Sequence, residues 1–482
     1  MKKILMLLFL MVSSLVLVAC DGDKVTLEWE TMPKSVYTKS NTDAEAKKAE
    51  ADFLNEVKVR INEKVYSLGD AVGLGATVTG FDTTTSGLKT VTVKYESLTI
   101  TWSFVVEPKE DEFKPSTDWY NESATTFTLM TEEELFGLAI LVNAGTADFA
   151  GKTVKLGKDM DLSDKVWTPI GQGTRKEEPV QLTGDAVTST MMTEAAREFD
   201  PSKDYREDGK EYIYLSSYKF AVRTNASDVD IKYYDNSSDL VQGGSFFKGT
   251  FDGQNHKIKG LSDVGYTPTV TRIYANSVMV LKGYVFGLFG IVEGNVTIKD
   301  VVFENVAIIG AYYDSANGGS IVKAEIDSVG AAIGYVNKIA GNLVVENVKV
   351  LSGSITASNA AAGIVGRFYN IGTSLFKDVE NHANMSVLAG GNHAGGIAGF
   401  GGTGKIEFIN AKNYGNITVA TKETGGGIVN GAGSTVFIID SSNFGTISGT
   451  SIKDSSNPRY GLVGYNGNNA NVTNSLNFGT VK

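Results

Sequence analysis

Two short motifs that return with a single period constrain the fold of this chain more than any other feature. Apolar pairs bounded by glycine recur every 31 to 34 residues, and these pairs begin at Gly363, Gly396, Gly427 and Gly461. A motif that starts with asparagine recurs every 30 to 34 residues, at Asn381, Asn413, Asn443 and Asn477. Two independent motifs with one period indicate a solenoid, in which each repeat stacks on the one before it.

The repeat unit is predicted to be β rather than helical. Short apolar runs such as Ile406–Ile409 and Asn416–Ala420 lie between the motifs and are bounded by Gly and Asn. Coils of a parallel β-solenoid stack about 4.8 Å apart, so equivalent residues lie above one another and like charges repel. Stacked Asn side chains instead hydrogen-bond along the column. We expect Gly to supply the positive φ angles of the corners.

Segments outside the two motifs resemble the GLUG-motif family of bacterial surface proteins, which is named for the repeat Gly-Leu-x-Gly. The segments are Phe149–Leu156, Asp159–Leu162, Trp167–Gly171 and Phe247–Leu261. The resemblance covers about residues 120–171 and 246–482. It implies an all-β fold with a right-handed parallel β-helix over residues 118–482. Similar repeats also lie beside the catalytic part of immunoglobulin-A-cleaving metallopeptidases. The family motifs Pro-Ile-Gly and Phe-x-Gly-Thr-Phe-Asp-Gly are usually close, whereas residues 172–245 separate them here.

Residues 24–108 are predicted to form a separate β-domain. Apolar residues recur at every second position from Val91 to Tyr95 and from Leu98 to Val106, as in a half-buried antiparallel hairpin. The stretch Gly75–Tyr95 resembles the end of a bacterial immunoglobulin-like domain, which implies a small β-sandwich serving as a spacer or an adhesive module. A charged, Ala-rich segment from Asp43 to Val57 has helical composition. A second helix is predicted after Thr131, which forms a capping box with Glu134.

The N-terminus is predicted to direct the protein out of the cell. Lys2 and Lys3 precede an apolar run, Ile4–Val18, that is too short for a membrane span but suits a signal peptide. The sequence Leu-Val-Ala-Cys that follows resembles a bacterial lipobox. The resemblance implies that residues 1–19 are removed and that Cys20 carries lipid into a membrane at the cell surface. The net charge of −11, without a cluster of Lys and Arg, argues against a nucleic-acid partner.

The insertion at residues 172–245 is the candidate binding region, because large insertions in solenoids often form the binding face. It is rich in tyrosines set among acids and lysines, and the candidates for binding a glycan or a surface protein are Tyr205, Tyr212, Tyr214, Tyr218, Tyr233 and Tyr234. A loop without function is the alternative. Further along the chain, Tyr313, Asp314 and Asp327 could contribute to a carbohydrate platform.

Catalysis by paired carboxylates is the rival hypothesis, since many right-handed β-helices cleave polysaccharides. Asp159 and Asp161 would share a strand face, and Asp252 lies near the same end of the solenoid by repeat order. These residues could serve a lyase or a hydrolase, or hold calcium. Asp in such a motif also commonly bonds its own backbone at a turn.

No other cofactor or metal is predicted. The histidines are His256, His382 and His393, and none has the H-E-x-x-H spacing of a zinc peptidase. His256 and His382 fall within repeat motifs and are expected to be structural.

A further expectation concerns the last coil, which reaches Lys482 without a polar or helical cap. Exposed strand edges recruit other strands, so weak end-to-end self-association is expected. Taken together, the sequence favours a non-catalytic adhesin or ligand-binding β-helix on an immunoglobulin-like stalk. The alternative is a polysaccharide lyase or glycoside hydrolase.

Overall fold

The computed structural model of the chain is predominantly β, with long parallel sheets consistent with a β-helix or solenoid-like fold. The structure describes residues 25–109, 113–173, 180–200, 204–207, 209–216, 219–235, 244–266, 283–314, 320–323, 326–337, 339–357, 359–369, 372–387, 393–402, 404–419, 424–449, 461–465 and 470–482. The helices in these ranges are Asp43–Glu56, Leu68–Gly73, Glu132–Asn143 and Ser189–Ala195, with a 3-10 turn at Gly184–Ala186. Over the same ranges, none of the helices has the length and apolar character needed to span a membrane.

Residues 25–109 form a small domain with two sheets and two helices around one core. The first sheet is antiparallel, with the strand order Leu27–Trp29, Lys58–Ile61, Lys64–Ser67. The second sheet has the strand order Val36–Thr38, Leu98–Glu107, Gly87–Tyr95, Thr77–Thr79. The predicted hairpin is confirmed, because Val91 pairs with Trp102 and Tyr95 with Leu98. The predicted helix is also present, at Asp43–Glu56, and it buries Phe53 in the core.

A capped helix covers the first coil of the solenoid. The helix spans Glu132–Asn143, and its capping box is formed as predicted. Thr131 Oγ1 accepts the Glu134 N–H, and Glu134 Oε2 accepts the Thr131 N–H. Phe136 meets the buried Trp167 edge to face, with ring centroids 4.9 Å apart. The helix therefore shields apolar surface that a first coil would otherwise expose.

The longest sheet, sheet A, contains fifteen strands that add coil upon coil. Its first row consists of Thr126–Leu129, Thr153–Leu156, Thr250–Asp252, Val296–Glu304, Leu343–Val350, Thr373–Lys377, Lys405–Ile409, Val436–Ile439 and Ala470–Thr473. Its second row consists of Met160–Asp161, Lys257–Lys259, Glu380–Asn381, Lys412–Asn413, Ser442–Asn443 and Leu476–Asn477.

Three shorter parallel sheets, B, C and D, follow sheet A along the chain, and the coils that begin at Val296, Leu343, Thr373 and Lys405 contain strands of all four sheets in the order A, B, C, D. Sheet B consists of Val306–Ile308, Gly353–Ala357, Asn384–Val387, Ile417–Thr418 and Ile447–Ser448. Sheet C consists of Gly283–Phe286, Ile326–Gly330, Ala360–Ala362, His393–Gly395 and Thr424–Gly426. Sheet D consists of Phe289–Val292, Ile333–Val336, Val365–Phe368, Ala398–Gly401, Val429–Ala432 and Val463–Tyr465. Their inward side chains form one continuous apolar core.

The two sequence motifs share a period because they pack against each other inside the solenoid. The amide nitrogens of Asn381, Asn413 and Asn443 each donate to the Oδ1 of the next Asn, at 2.8, 2.7 and 2.7 Å. A Cβ atom added to Gly363 would lie 2.4 Å from Cγ of Asn381, and one on Gly396 would lie 2.5 Å from Cγ of Asn413. The glycines are thus required for close approach to the buried amide column.

The expectation that Gly supplies the positive φ angles at the corners is confirmed in part. Gly294, Gly310, Gly404 and Gly449 lie between strands and have positive φ angles. Of the four glycines that begin the apolar pairs, however, only Gly461 has a positive φ, of 73°. In sheet A the left-handed corner positions between the two rows hold a column of Asp and Asn instead, at Asn255, Asp300, Asn347, Asp378, Asn410, Asp440 and Asn474. Asn and Asp tolerate this conformation better than other side-chain-bearing residues, and their polar groups can bond between coils.

The small N-terminal domain contacts the first coils of the solenoid directly. The Leu88 N–H donates to the carbonyl of Ser163 at 2.9 Å. The Val166 N–H donates to Glu107 Oε1 at 3.1 Å. Gly265, with a φ of 85°, lies so close that an added Cβ would be 2.5 Å from Cγ2 of Val36. Backbone, side-chain and van der Waals contacts therefore join the two parts.

Candidate binding surfaces

The insertion in the solenoid folds as a small unit of its own. It leaves and returns through an antiparallel pair of strands, Gln172–Gly173 and Gly244–Ser245. Between these lies a five-stranded antiparallel sheet in the order Val180–Leu182, Lys232–Asp235, Lys219–Arg223, Lys210–Ser216 and Tyr205–Glu207. The helix Ser189–Ala195 packs against one face of this sheet.

By strand register, four of the six candidate tyrosine positions fall on one face of the insertion sheet. Residues that are opposite one another in antiparallel strands lie on the same face, as do residues two apart along a strand. The register pairs Tyr205 with Tyr212, Tyr212 with Val222, and Phe220 with both Tyr214 and Tyr234. We call these six positions the tyrosine face. Tyr212, Val222 and Tyr234 are half-buried, whereas most described side chains of the opposite face, including Ile213 and Ala221, are buried, so the tyrosine face is the more open of the two.

The other two candidate tyrosines are not part of this surface. Tyr233 pairs with Ala221 and Leu182 and packs against the buried cluster under the helix, where burial raises its pKa. Tyr218 lies outside the described residues. Alternation along a strand could have separated Tyr233 from Tyr234 in the sequence, but the charged insertion gave no strand boundaries from which to count.

Buried ion pairs fix the closed side of the insertion. The Arg223 side chain is fully buried, and its Nε donates to Glu211 Oε2 at 2.9 Å. Arg206 reaches the other oxygen of Glu211 from a largely exposed position. Arg223 also donates to the carbonyl of Ala195 at 2.5 Å and so holds the helix to the sheet.

The candidate catalytic carboxylates occupy different positions in sheet A. Asp161 is opposite Lys259, and Asp159, one residue before Met160, stands level with Lys257. Asp252 is in the other row, between Lys155 and Lys299. The register thus does not place Asp252 opposite either of the other two residues.

Each of these carboxylates is engaged in local bonds. Asp159 Oδ1 accepts the Lys257 N–H at 2.9 Å, which lowers the pKa of Asp159. Burial would raise the pKa of Asp161, but hydrogen bonds from Ser163 outweigh it and lower that pKa. Burial is likewise outweighed at Asp252, where Gln254 and the Lys299 ammonium, 3.0 Å away, lower the pKa. A glycosidase general acid needs a raised pKa, so none of the three suits that role.

The three histidines lie apart and have structural partners. His256 Nδ1 is 3.3 Å from Asp159 Oδ1, and His382 bonds Glu380. His393 lies in sheet C, where burial, reinforced by the charge of Arg367, lowers its pKa to about 3. Its Nδ1 therefore accepts a hydrogen bond from Asn430 Nδ2 at 2.7 Å. In the described part of the chain, no group of three or more His, Cys, Asp or Glu residues is arranged to hold a metal ion.

The three further residues that could contribute to a carbohydrate platform lie on two different elements. Tyr313 and Asp314 are in the strand Ala311–Asp314, which pairs with Ser320–Lys323 as an antiparallel hairpin outside the coils. Asp327 is in sheet C, opposite Tyr284. Cys20 lies outside the described residues.

A ladder of stacked aromatic rings runs along the outside of the last four coils. We call it the aromatic ladder, and it consists of His382, Tyr414, Phe444 and Phe478, each directly after an Asn of the buried column. Successive ring centroids are 4.4, 4.7 and 5.1 Å apart, and the planes are within 11° of parallel. Tyr414, Phe444 and Phe478 are 39%, 41% and 61% exposed. The sequence shows an aromatic residue after each Asn of the buried column, but this pattern alone indicated a structural repeat and not an exposed surface.

The outer face of sheet A changes character along the stack. In the column of the aromatic ladder, the earlier coils carry Asp161, Lys259 and Glu304, followed by Leu351. A parallel column begins with charged residues and ends with uncharged ones: Lys155, Asp252, Lys299, Glu346, Lys377, Ile409, Ile439 and Thr473. Ion pairs join Lys299 to Asp252 and Lys377 to Glu346. The same fold positions thus accept either kind of side chain.

Comparison with known proteins gives little further information. No protein-family model matches the chain, and no curated protein matches it. Among solved structures, a candidate immunoglobulin A1 protease from Bacteroides ovatus aligns with a TM-score of 0.39 and 15% sequence identity. The alignment covers 74% of this chain and 76% of that chain. A similarity of this size establishes neither a common fold nor a common activity.

Proposed function

We propose that the protein is a non-catalytic cell-surface protein that binds a glycan, or a protein on another surface, through the tyrosine face of its insertion. The observation that carries this proposal is the position of Tyr212 and Tyr234, half-buried on the more open face of a sheet whose other face is closed by a helix and buried ion pairs. Aromatic rings with a polar end are frequent in binding surfaces because they offer both apolar area and a hydrogen bond.

The architecture that we propose around this surface is a right-handed GLUG-type β-helix over residues 118–482. It follows an immunoglobulin-like β-sandwich over residues 24–108. The in-phase Gly and Asn columns and the strand order of each coil support the first assignment. The antiparallel hairpin of residues 87–107 supports the second. We further propose that residues 1–19 are a signal peptide and that lipid on Cys20 anchors the protein outside the cell membrane, on the strength of the lipobox resemblance.

The state of the carboxylates supports a binding role over an enzymatic one. Lowered pKa values keep Asp159, Asp161 and Asp252 ionised and bound to local donors. A glycosidase needs one carboxylic acid that stays protonated near neutral pH.

A binding test on an array of short oligosaccharides addresses the proposal directly. We expect the full chain to bind members of the array, and Tyr212→Ala combined with Tyr234→Ala to weaken that binding about tenfold, as loss of two aromatic contacts implies. Tyr233→Phe, on the closed face of the same sheet, should bind like the unmodified chain.

Two outcomes would contradict the proposal. Equal binding by the double variant would remove the tyrosine face as the site. Release of reducing or unsaturated ends from a polysaccharide panel, with or without calcium and above a heat-denatured control, would show catalysis. In that case Asp159, Asp161 and Asp252 would be the first residues to substitute.

A further inference from the structure

We infer that the aromatic ladder and the apolar positions beside it form a second binding surface, for an uncharged linear polysaccharide lying along the solenoid axis. This surface is separate from the tyrosine face and goes beyond the function proposed for it. It consists of the aromatic ladder together with Leu476, which is 59% exposed, and the half-buried Ile409 and Ile439.

The fold itself does not require apolar residues at these positions. Lys259 and Glu304 occupy the ladder column in earlier coils, and their backbones pair with the same parallel register. Lys299 and Glu346 likewise occupy, in earlier coils, the column that holds Ile409 and Ile439 in later coils, and they pair in the same parallel register. The earlier coils are therefore an internal comparison: sheet A tolerates charged residues at these positions, yet the last coils present rings and aliphatic side chains. Exposed apolar side chains that recur in one column without being required by the fold indicate an interaction site.

The change in charge along these columns indicates an uncharged ligand. In the early coils the ladder column holds the charged residues Asp161, Lys259 and Glu304. In the last three coils it holds the uncharged rings of Tyr414, Phe444 and Phe478. Lys412 and Asp440 stand between the two apolar columns with opposite charges. A strongly acidic or basic polymer would therefore meet no surface of uniformly opposite charge here. Its own charged groups would also lose hydration where they contact the rings.

The orientation of the rings indicates a hydroxylated ligand rather than an alkyl chain. Because the rings stack face to face within 11° of parallel, their edges point outward along the column. Ring edges carry the positive end of the aromatic quadrupole and attract electron-rich atoms such as sugar oxygens. Asn384 and Asn416, two residues beyond the ring positions of their coils, are also exposed and carry amide groups.

Repetition of the surface indicates a polymer. Equivalent ring edges recur with each coil, at spacings of 4.4 to 5.1 Å, so the surface offers a row of similar subsites. A linear chain of repeating units can occupy several such subsites at once, and its affinity grows with the number filled. A short oligosaccharide gains only one or two of these contacts.

Co-sedimentation of the full chain with neutral polysaccharides tests the inference. The probes are microcrystalline cellulose, chitin and a soluble mixed-linkage β-glucan, with polygalacturonate as the charged comparison. We expect binding to at least one neutral polymer and weaker binding to polygalacturonate. Failure to bind any neutral polymer, or equal binding to polygalacturonate, would overturn the inference.

A variant that replaces two rings of the aromatic ladder with charged residues, called the charge-exchange variant, tests the surface most directly. Tyr414→Lys combined with Phe444→Glu introduces the pair of residue types that Lys259 and Glu304 already supply in the same column, so the coil should still fold. We expect at least about a tenfold loss of neutral-polymer binding. The Tyr212→Ala and Tyr234→Ala variant should keep this polymer binding while its binding of short oligosaccharides weakens. Unchanged polymer binding by the charge-exchange variant would refute the ladder as the site without affecting the tyrosine face.

Hydrogen exchange on the unmodified chain covers the case in which the charge-exchange variant does not fold. We expect bound polymer to slow exchange of backbone amides in residues 412–418 and 442–448, and to leave those of residues 297–304 unchanged. No added protection in the two later segments would overturn the inference.

Discussion

Individual Asn and Asp residues at the left-handed corners alternate along the stack. Each Asp in the column of Asp300, Asp378 and Asp440 has Asn in the coils on either side. Asn347 Nδ2 donates to Asp300 Oδ1 at 2.8 Å, and Asn410 Nδ2 donates to Asp378 Oδ1 at 2.7 Å. The amides thus separate carboxylates that would repel if they stood in neighbouring coils.

Breaking this alternation should destabilise the solenoid. Asn410→Asp would put three carboxylates in successive coils, with Asp378 and Asp440 on either side, and would remove one hydrogen bond. We expect the free energy of unfolding to fall by about 1–3 kcal/mol at pH 7. Because added like charge is the cause, the deficit should shrink as carboxyls take up protons on acidification. Asp378→Asn, which removes a charge and keeps a residue that tolerates positive φ, should change stability little.

Chemical denaturation at pH 7 and pH 4 measures both variants. An equal deficit for Asn410→Asp at the two pH values would exclude charge repulsion as the cause.

At the residue scale, the sequence predicted the buried Asn column correctly but identified only one of the two roles of Gly. Stacking of Asn381 on Asn413 follows from the period alone, because equivalent residues in parallel coils must coincide. The close approach of Gly363 to Asn381 joins two motifs eighteen residues apart. No spacing along the chain shows that they meet across the core.

At the scale of elements, strands with strong alternation or repetition were predictable and the insertion was not. The hairpin of Gly87–Tyr95 and Leu98–Glu107 alternates apolar and polar residues, and its register follows. The strands of the insertion carry tyrosines and charges on both faces, since its closed face contains Arg223 and Glu211. A buried ion pair hides the apolar alternation by which strands are recognised.

That ion pair should be essential to the insertion. Glu211→Gln would leave the fully buried Arg223 guanidinium without its carboxylate, and we expect the insertion to lose about 3–5 kcal/mol of stability. Arg206→Gln removes the largely exposed partner of the same Glu211 and should cost under about 1 kcal/mol.

Limited proteolysis within residues 172–245 reports on this difference without depending on unfolding of the solenoid. Rapid cleavage is expected for Glu211→Gln and slow cleavage for Arg206→Gln. Equal resistance in both variants would mean that Arg223 finds a substitute partner.

For the whole molecule, the junction between the N-terminal domain and the solenoid decides how a ligand is presented. Residues 109–117, between the two parts, are a short charged and Pro-containing segment, and such a segment by itself suggests independent domains. The structure adds contacts between distant segments, from Leu88 to Ser163 and from Glu107 to Val166. Because these contacts depend on the fold of both parts, no local sequence pattern predicts them. They would make the proposed stalk rigid rather than flexible.

A bulky residue at Gly265 should release the junction. In Gly265→Leu the new side chain would collide with Val36 and Val166, whose Cγ2 atoms lie 2.5 and 2.7 Å from an added Cβ. We expect the N-terminal domain to detach, with a larger radius of gyration in small-angle X-ray scattering and a separate unfolding transition for that domain. Gly151→Leu is the matched control, because Gly151 also has a positive φ, of 72°, but no atom lies within 4 Å of an added Cβ. Both variants bear similar backbone strain, of about 1 kcal/mol or more, so only the collision distinguishes them. An unchanged radius of gyration in Gly265→Leu would mean that the other junction contacts suffice to hold the two parts together.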